Sequence, residues 1–163
     1  MLALKHILVP TDFSETSEAA VKYGIALASG FNAKLSVLHV LEKAPAEIPG
    51  TSQYPLGLFG NARDAAHEWL SKILTDQQVR DLKPAVIMRV GAPDVEIVRY
   101  AKEHDIDLIV MGTHGRGGMA HMLMGSVAEN VVRRATCPVL TVRRPQDEFV
   151  SRDESVASVP ASE

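Results

Sequence analysis

Five short runs of apolar, largely β-branched residues punctuate the chain, at 7–9, 35–41, 86–90, 108–111 and 139–142. Their near-continuous hydrophobicity predicts strands buried on both faces. Between them the apolar period changes to that of a helix. Ala20, Tyr23, Gly24 and Leu27 share one helical face, as do Ala62, Ala65, Ala66, Trp69, Leu70 and Ile73. Pro93 opens a third pattern carried by Ile97, Tyr100 and Ala101, and Ala128, Val131, Val132 and Ala135 make a fourth. The order βαβαβαβαβ predicts an α/β fold, a doubly wound five-stranded parallel sheet with helices on both faces reached by right-handed crossovers. Ligands of such sheets bind at the carboxyl ends of the strands, where the winding reverses. The segments after Val9, Leu41, Val90 and Met111 are therefore the candidates for a site. Residues 44–60, with Pro45, Pro49, Pro55, Gly50, Gly57 and Gly60, form a long loop beside that region. Its length suits a lid and an exposed insertion equally.

Composition narrows the class without adding chemistry. The 163 residues correspond to about one domain. A hydrophobic fraction of 46% and a charged fraction of 23% exclude disorder, collagen and a supercharged nucleic-acid binder. Cys137 is the single cysteine, which excludes an intramolecular disulfide and any C-x-x-C pair. No apolar run approaches the roughly 20 residues of a membrane span. Lys5 and His6 lead straight into the first apolar run, unlike a signal peptide, so the reducing cytoplasm is the expected setting.

The charge is unevenly spread. The formal total is −3, yet residues 145–163 carry Asp147, Glu148, Asp153, Glu154 and Glu163 against Arg152, a net −4 that leaves +1 for residues 1–144. Lacking apolar periodicity, this segment reads as an acidic mobile tail to a domain ending at 144. Between Gly112 and Arg144, Arg116, Arg133, Arg134, Arg143 and Arg144 stand against Glu129 alone. That cluster suits a bound anion, but on charge alone a solvated helix face with loop arginines is the favoured reading.

The fourth apolar run is followed by Gly112-Thr113-His114-Gly115-Arg116-Gly117-Gly118 and then by Gly125-Ser126 ahead of the last helix. Glycines allow close approach of backbone amides to an anion, and a helix start offers free N–H groups and a positive dipole end. Two such turns, with Ser126 as hydroxyl donor and helix cap and Arg116 as a charged fork, point to a polyphosphate. Tight turns and a cap are the plainer alternative. There is no G-x-x-x-x-G-K-[ST], which excludes a P-loop. Gly115-x-Gly117-x-x-Ala120 matches the relaxed dinucleotide fingerprint but sits in the last βα turn and has no acid about 20 residues on. At the end of the first strand, Asp12 is placed to accept from a ribose hydroxyl or bind a metal, or else to cap the next helix in a capping box with Glu15.

These motifs resemble the universal stress protein family over nearly all of residues 1–144. Its ATP-binding members carry G-x2-G-x9-G-[ST], met here by Gly112, Gly115 and Gly125-Ser126; the runs at 7–14, 38–40, 107–112, 125–131 and 137–142 also match in order. The resemblance implies a Rossmann-like sheet of order 3-2-1-4-5. It implies that Pro10, Thr11, Asp12 and Val40 line the adenine and ribose side of ATP. Met111, Gly112, Gly115, Arg116, Gly125, Ser126 and Val127 would surround the phosphates, with Mg²⁺ or Mn²⁺ bridging phosphate oxygens. A homodimer through the last strand (residues 138–143, opening at Pro138 and closing at Arg143) and unidentified protein partners are implied too, with neither nucleic acid nor membrane.

No catalytic constellation stands out. Asp12, His114, His121 and Arg116 lie near the motif without a recognisable partner spacing, so a regulatory protein rather than an enzyme is expected, slow ATP hydrolysis remaining open. His39 reads as a satisfied core or edge residue, and Met119, Met122, Leu123 and Met124 as packing. A nucleotide-independent interaction module and a flavin carrier are the alternatives; the intact glycine spacing and the 5% aromatic content argue against them in turn.

Overall fold

The computed structural model describes residues 3–42, 58–114 and 124–143. In chain order they form β1 (His6–Pro10), α1 (Glu15–Phe31), β2 (Lys34–Leu41), α2 (Leu58–Ile73), α3 (Asp76–Leu82), β3 (Ala85–Val90), α4 (Pro93–Glu103), β4 (Leu108–Gly112), α5 (Ser126–Arg134) and β5 (Val139–Val142). The five strands are parallel and ordered β3-β2-β1-β4-β5, the doubly wound Rossmann-like arrangement expected. The acidic segment from 145 onward lies outside the described residues, as does most of the 44–60 loop.

Side chains alternate across each strand, so β1 feeds two cores. Ile7 and Val9 join α1, α2 and the β2 residues Leu35 and Val37 on one face. Leu8 and Leu38 pack on the other face with Ile97 and Tyr100 of α4 and Ala128 and Val131 of α5. Gly24 brings α1 down onto β1, since a Cβ there would lie 2.5 Å from Val9 Cγ2.

Three details depart from the periodicity. Helix α3 buries none of its residues and so leaves no apolar stripe to find. Its signal is instead the capping box Thr75-x-x-Gln78, in which Thr75 Oγ1 accepts from Gln78 N–H and Gln78 Oε1 accepts from Thr75 N–H. Ala65 and Val132, placed by spacing on core-facing stripes, are exposed. The buried stripe of α5 is only Ala128 and Val131, because a nine-residue helix at the sheet edge has little to cover.

The β1–β4 ladder opens the site. Register runs over five pairs between β1 and β2, from His6 opposite Lys34 to Pro10 opposite Leu38. Between β1 and β4 it stops after Ile7–Leu108 and Leu8–Ile109. Peptide groups point alternately to the two neighbours, and Thr11 N–H bonds the Leu38 carbonyl on the β2 side at 2.8 Å. Pro10 therefore faces β4, has no N–H to donate, and ends that ladder. Beyond it the two central strands part.

Candidate functional site

The gap between the carboxyl ends of β1 and β4 widens into a cavity of about 690 Å³, within the range of small-ligand sites. Pro10, Thr11 and Asp12 line it from β1, Val40 from β2, Met111 and Gly112 from β4, and Gly125, Ser126 and Val127 from the start of α5. Nine of the eleven residues singled out in the sequence thus share one cavity. The other two, Gly115 and Arg116, lie outside the described residues, as does His121.

The turn after β1 is fixed by short-range bonds. Thr11, buried, donates its hydroxyl to Ser17 Oγ at 3.1 Å and accepts from Phe13 N–H at 3.0 Å. Asp12 Oδ1 accepts from Ser14 N–H at 3.0 Å. The N-cap of α1 is Ser14, whose side chain accepts from Ser17 N–H. The capping box expected between Asp12 and Glu15 is therefore not formed. Asp12 sits two residues too early and turns the chain into the cap instead.

His39 also belongs to this wall. Its Nδ1 donates to the Thr11 carbonyl at 2.8 Å, and its ring lines the cavity. As expected it is satisfied, but the site it satisfies is the binding crevice. Even-numbered residues of β2 turn their peptides toward β1, as the Leu38 carbonyl does, and odd-numbered ones toward β3, as the Leu41 carbonyl accepting from Gly91 N–H shows. Val40 lies past the last β1 pair, so its N–H and C=O are directed at the space β1 has left.

The two described glycines of the motif act by close approach rather than by left-handed backbone. A Cβ on Gly112 would come within 2.8 Å of Thr16 Cγ2, so this glycine seats β4 against α1. Gly125 has φ −74°, open to any residue; its N–H donates to the Thr113 carbonyl at 2.6 Å, tying the start of α5 to the end of β4. Gly125 is itself the N-cap of α5, and among the described residues no side chain caps the helix. Ser126, expected to cap, is the first helical residue. The start of α5 consequently lines the cavity without a side-chain cap from the described residues.

The arginines that the basic segment places in α5 follow the plainer reading, a solvated helix face. Arg133 and Arg134 occupy the last turn of α5, about 10 Å along the axis from its start, where they complement the helix dipole. Arg133 pairs with Glu129 at 3.9 Å and Arg134 with Asp94 of α4 at 3.4 Å. Among the described lining residues there is no Lys or Arg, whereas Asp12, Glu42 and Glu129 are acidic. No group of three or more His, Cys, Asp or Glu among the described residues is placed to hold a metal ion. Thr113, Pro93, Ile97 and Met124 also line the cavity. Only the docking of α4 reveals Pro93 and Ile97, since in the sequence they are helix start and core stripe.

His6, Asp107 and Cys137, whose protonation the fold shifts, lie at the amino ends of the strands, opposite the crevice. Burial pushes the Cys137 thiol up, which keeps it protonated and a poor nucleophile.

Fold and crevice together define a doubly wound α/β domain with a ligand site at the β1/β4 switch point. The profile of the Universal stress protein family matches residues 3–143, and the chain belongs to that family. It is 36% identical over 145 residues to Universal stress protein MJ0531 of Methanocaldococcus jannaschii, covering 88% of this chain and 85% of the relative. Among solved structures, universal stress protein UspA from Lactobacillus plantarum superposes with a TM-score of 0.75 at 27% identity, covering 88% of this chain and all of that one. A universal stress protein in complex with cAMP is similar at a TM-score of 0.60 and 29% identity, covering 88% of this chain and 100% of that one. No helix among the described residues is long and apolar enough to cross a membrane.

Proposed function

We propose that the crevice binds ATP and that the protein is a nucleotide-dependent regulator, read by partner proteins through its nucleotide and dimer state. The observation that carries this reading is the pairing, across one cavity, of the Asp12 carboxylate and the uncapped start of α5. The Val40 peptide supplies one donor and one acceptor, the pair that the N1 and N6 edge of adenine complements, with Val40 and Pro10 as apolar walls. Asp12 and Thr11 hold the ribose. The amides of Gly125, Ser126 and Val127 and the dipole of α5 face the phosphates, joined by Met111, Gly112, Gly115 and Arg116. The cAMP complex of a relative supports a nucleotide in general.

With Asp12, Glu42 and Glu129 around the cavity, a bare triphosphate meets repulsion. Mg²⁺ or Mn²⁺ carried on its oxygens offsets that charge, so binding depends on the divalent ion. The homodimer forms through the free edge of β5, where Leu140 is exposed and Val132 of the preceding helix adds apolar surface. The domain ends near residue 144, with the acidic segment as an appendage. Hydrolysis is not part of the proposed role.

Equilibrium titration tests the reading. ATP is expected to bind at or below millimolar concentration with Mg²⁺ and more weakly in EDTA. Absence of binding would sink the proposal, whereas tighter binding of cAMP would keep a nucleotide and reject the triphosphate. Mass spectrometry of the supernatant after denaturing the purified protein offers an independent check, since a retained nucleotide appears there directly.

A further inference from the structure

We infer that Phe13 is a positioning residue of the crevice, an aromatic wedge between His39 and Trp69 that holds the turn presenting Asp12 to the ribose. The inference rests on the nucleotide reading above and extends it to residues that do not touch the ligand.

Phe13 has φ +63°, a left-handed backbone that a bulky side chain adopts only when its surroundings impose it. Those surroundings are visible. Its ring centroid lies 4.5 Å from that of His39 and 5.2 Å from that of Trp69, the latter edge-on at 76°. Such a contact favours one orientation of the ring. Phe13 packs against the core formed by α1, α2 and β2, so side-chain burial opposes the backbone strain. Its N–H is bound to Thr11 Oγ1 and the next amide, Ser14 N–H, to Asp12 Oδ1, at 3.0 Å each. His39, one wall of the wedge, holds the Thr11 carbonyl. Phe13 and His39 thus fix Thr11 from both sides and leave Asp12 at the apex of the turn, on the cavity wall.

Without the ring, only the two backbone hydrogen bonds of the turn oppose the strain of residue 13, and the packing that offsets it is lost. Once φ reverts, the peptide between Asp12 and Phe13 rotates and the carboxylate leaves its place. The Val40 peptide on β2 and the amides of α5, which hold the adenine edge and the phosphates, do not depend on this turn. Loss of Phe13 therefore removes ribose recognition selectively, which a general loss of stability does not do.

The test compares ATP with 2′,3′-dideoxy-ATP, both with Mg²⁺, on the wild type, Phe13→Ala and Phe13→Leu. The wild type is expected to prefer ATP by about tenfold or more, the range of a hydrogen bond to a charged group. Both variants are expected to bind the dideoxy analogue as the wild type does while losing that preference. Phe31→Ala, at an exposed position at the end of α1, is expected to retain it. Circular dichroism establishes folding, and Phe13→Leu, which keeps apolar bulk, decides the matter if the alanine variant does not fold. A folded variant that still prefers ATP overturns the inference. So does a wild type that binds both nucleotides equally, because Asp12 then holds no ribose. A wild type that binds neither refutes the nucleotide reading itself, and the role of Phe13 with it.

Discussion

Two glycines of α1 show how context reverses a residue's contribution. By helix propensity, Gly→Ala gains up to about 1 kcal/mol at an interior position. Gly30 has nothing within 4 Å of an added Cβ, so Gly30→Ala is expected to raise stability by about 0.5 kcal/mol, close to the helix end. At Gly24 the added Cβ would meet Val9 Cγ2 at 2.5 Å, inside the core. Overpacking of this kind costs about 1–3 kcal/mol and outweighs the propensity gain, so Gly24→Ala is expected to destabilise. Urea midpoints of the two variants read the opposite signs directly. Periodicity alone assigned Gly24 to a helix face, but the reason that position is glycine depends on β1, some 15 residues earlier in the chain. Phe13 is the converse case, for no pattern in the sequence announces a left-handed phenylalanine.

For an element, what matters is how its ends are satisfied. Helix α5 begins at an N-cap that offers no side chain, and its first residues line the cavity. Gly125→Val brings a Cβ to about 3.2 Å from the Thr113 carbonyl and branched methyls toward the phosphate place. It is expected to lower ATP affinity at least tenfold, measured by calorimetry, with the circular dichroism spectrum retained. At the other end of the sheet, β1 begins with His6, whose Nε2 lies 2.8 Å from the buried Ser36 Oγ. Burial, more than any neighbour, holds His6 below its ordinary value of 6.5; the His104 carbonyl and Asp107 oppose the shift, and the charges of Lys34 and His104 add to it. The unfolded chain therefore binds the proton more readily, and stability falls as pH drops through 6.5 toward the folded value. His6→Asn is expected to flatten this slope in urea midpoints taken between pH 7.5 and 5. Asp107 accepts from the Lys5 and His6 N–H groups at 2.7 and 2.9 Å, which hold its carboxyl below 3.8. Its contribution is present above pH 3.8 and lost as pH falls through the lower folded value.

Across the whole molecule, two cores on opposite faces of one sheet hold the central strands rigid up to the point where Pro10 ends the β1–β4 ladder. The sheet edge is the other large-scale feature. With Leu140 exposed on β5 and Val132 exposed on α5, replacing Leu140 by Lys is expected to convert the proposed dimer to a monomer in sedimentation equilibrium. Unchanged mass would place any interface elsewhere. The parallel sheet and the cavity were legible in outline, because buried parallel strands write continuous apolar runs and the glycine spacing brackets the last βα turn; the strand order came only from the family resemblance. The arginine tally resolved toward its plainer reading, a solvated helix face, for Arg133 and Arg134. Sequence proximity placed Arg133 and Arg134 beside the motif, whereas a nine-residue helix carried them to its far end. Helix α3 was invisible to periodicity because it buries nothing, and the walls given by Pro93 and Ile97 exist only after α4 docks.

By itself, then, the order of apolar runs determined a doubly wound sheet and the strand-end segments that hold one crevice, while its individual residues were named mostly by the family resemblance. Both follow from local rules: periodicity sets element type, and parallel crossovers leave the carboxyl ends open. Tertiary structure decided what those residues do. Gly112 seats a strand against Thr16 instead of adopting a special conformation, Asp12 forms a turn instead of a cap, and His39 and Trp69 close on Phe13 from elements far apart in sequence. These outcomes depend on distances between elements, which only packing sets.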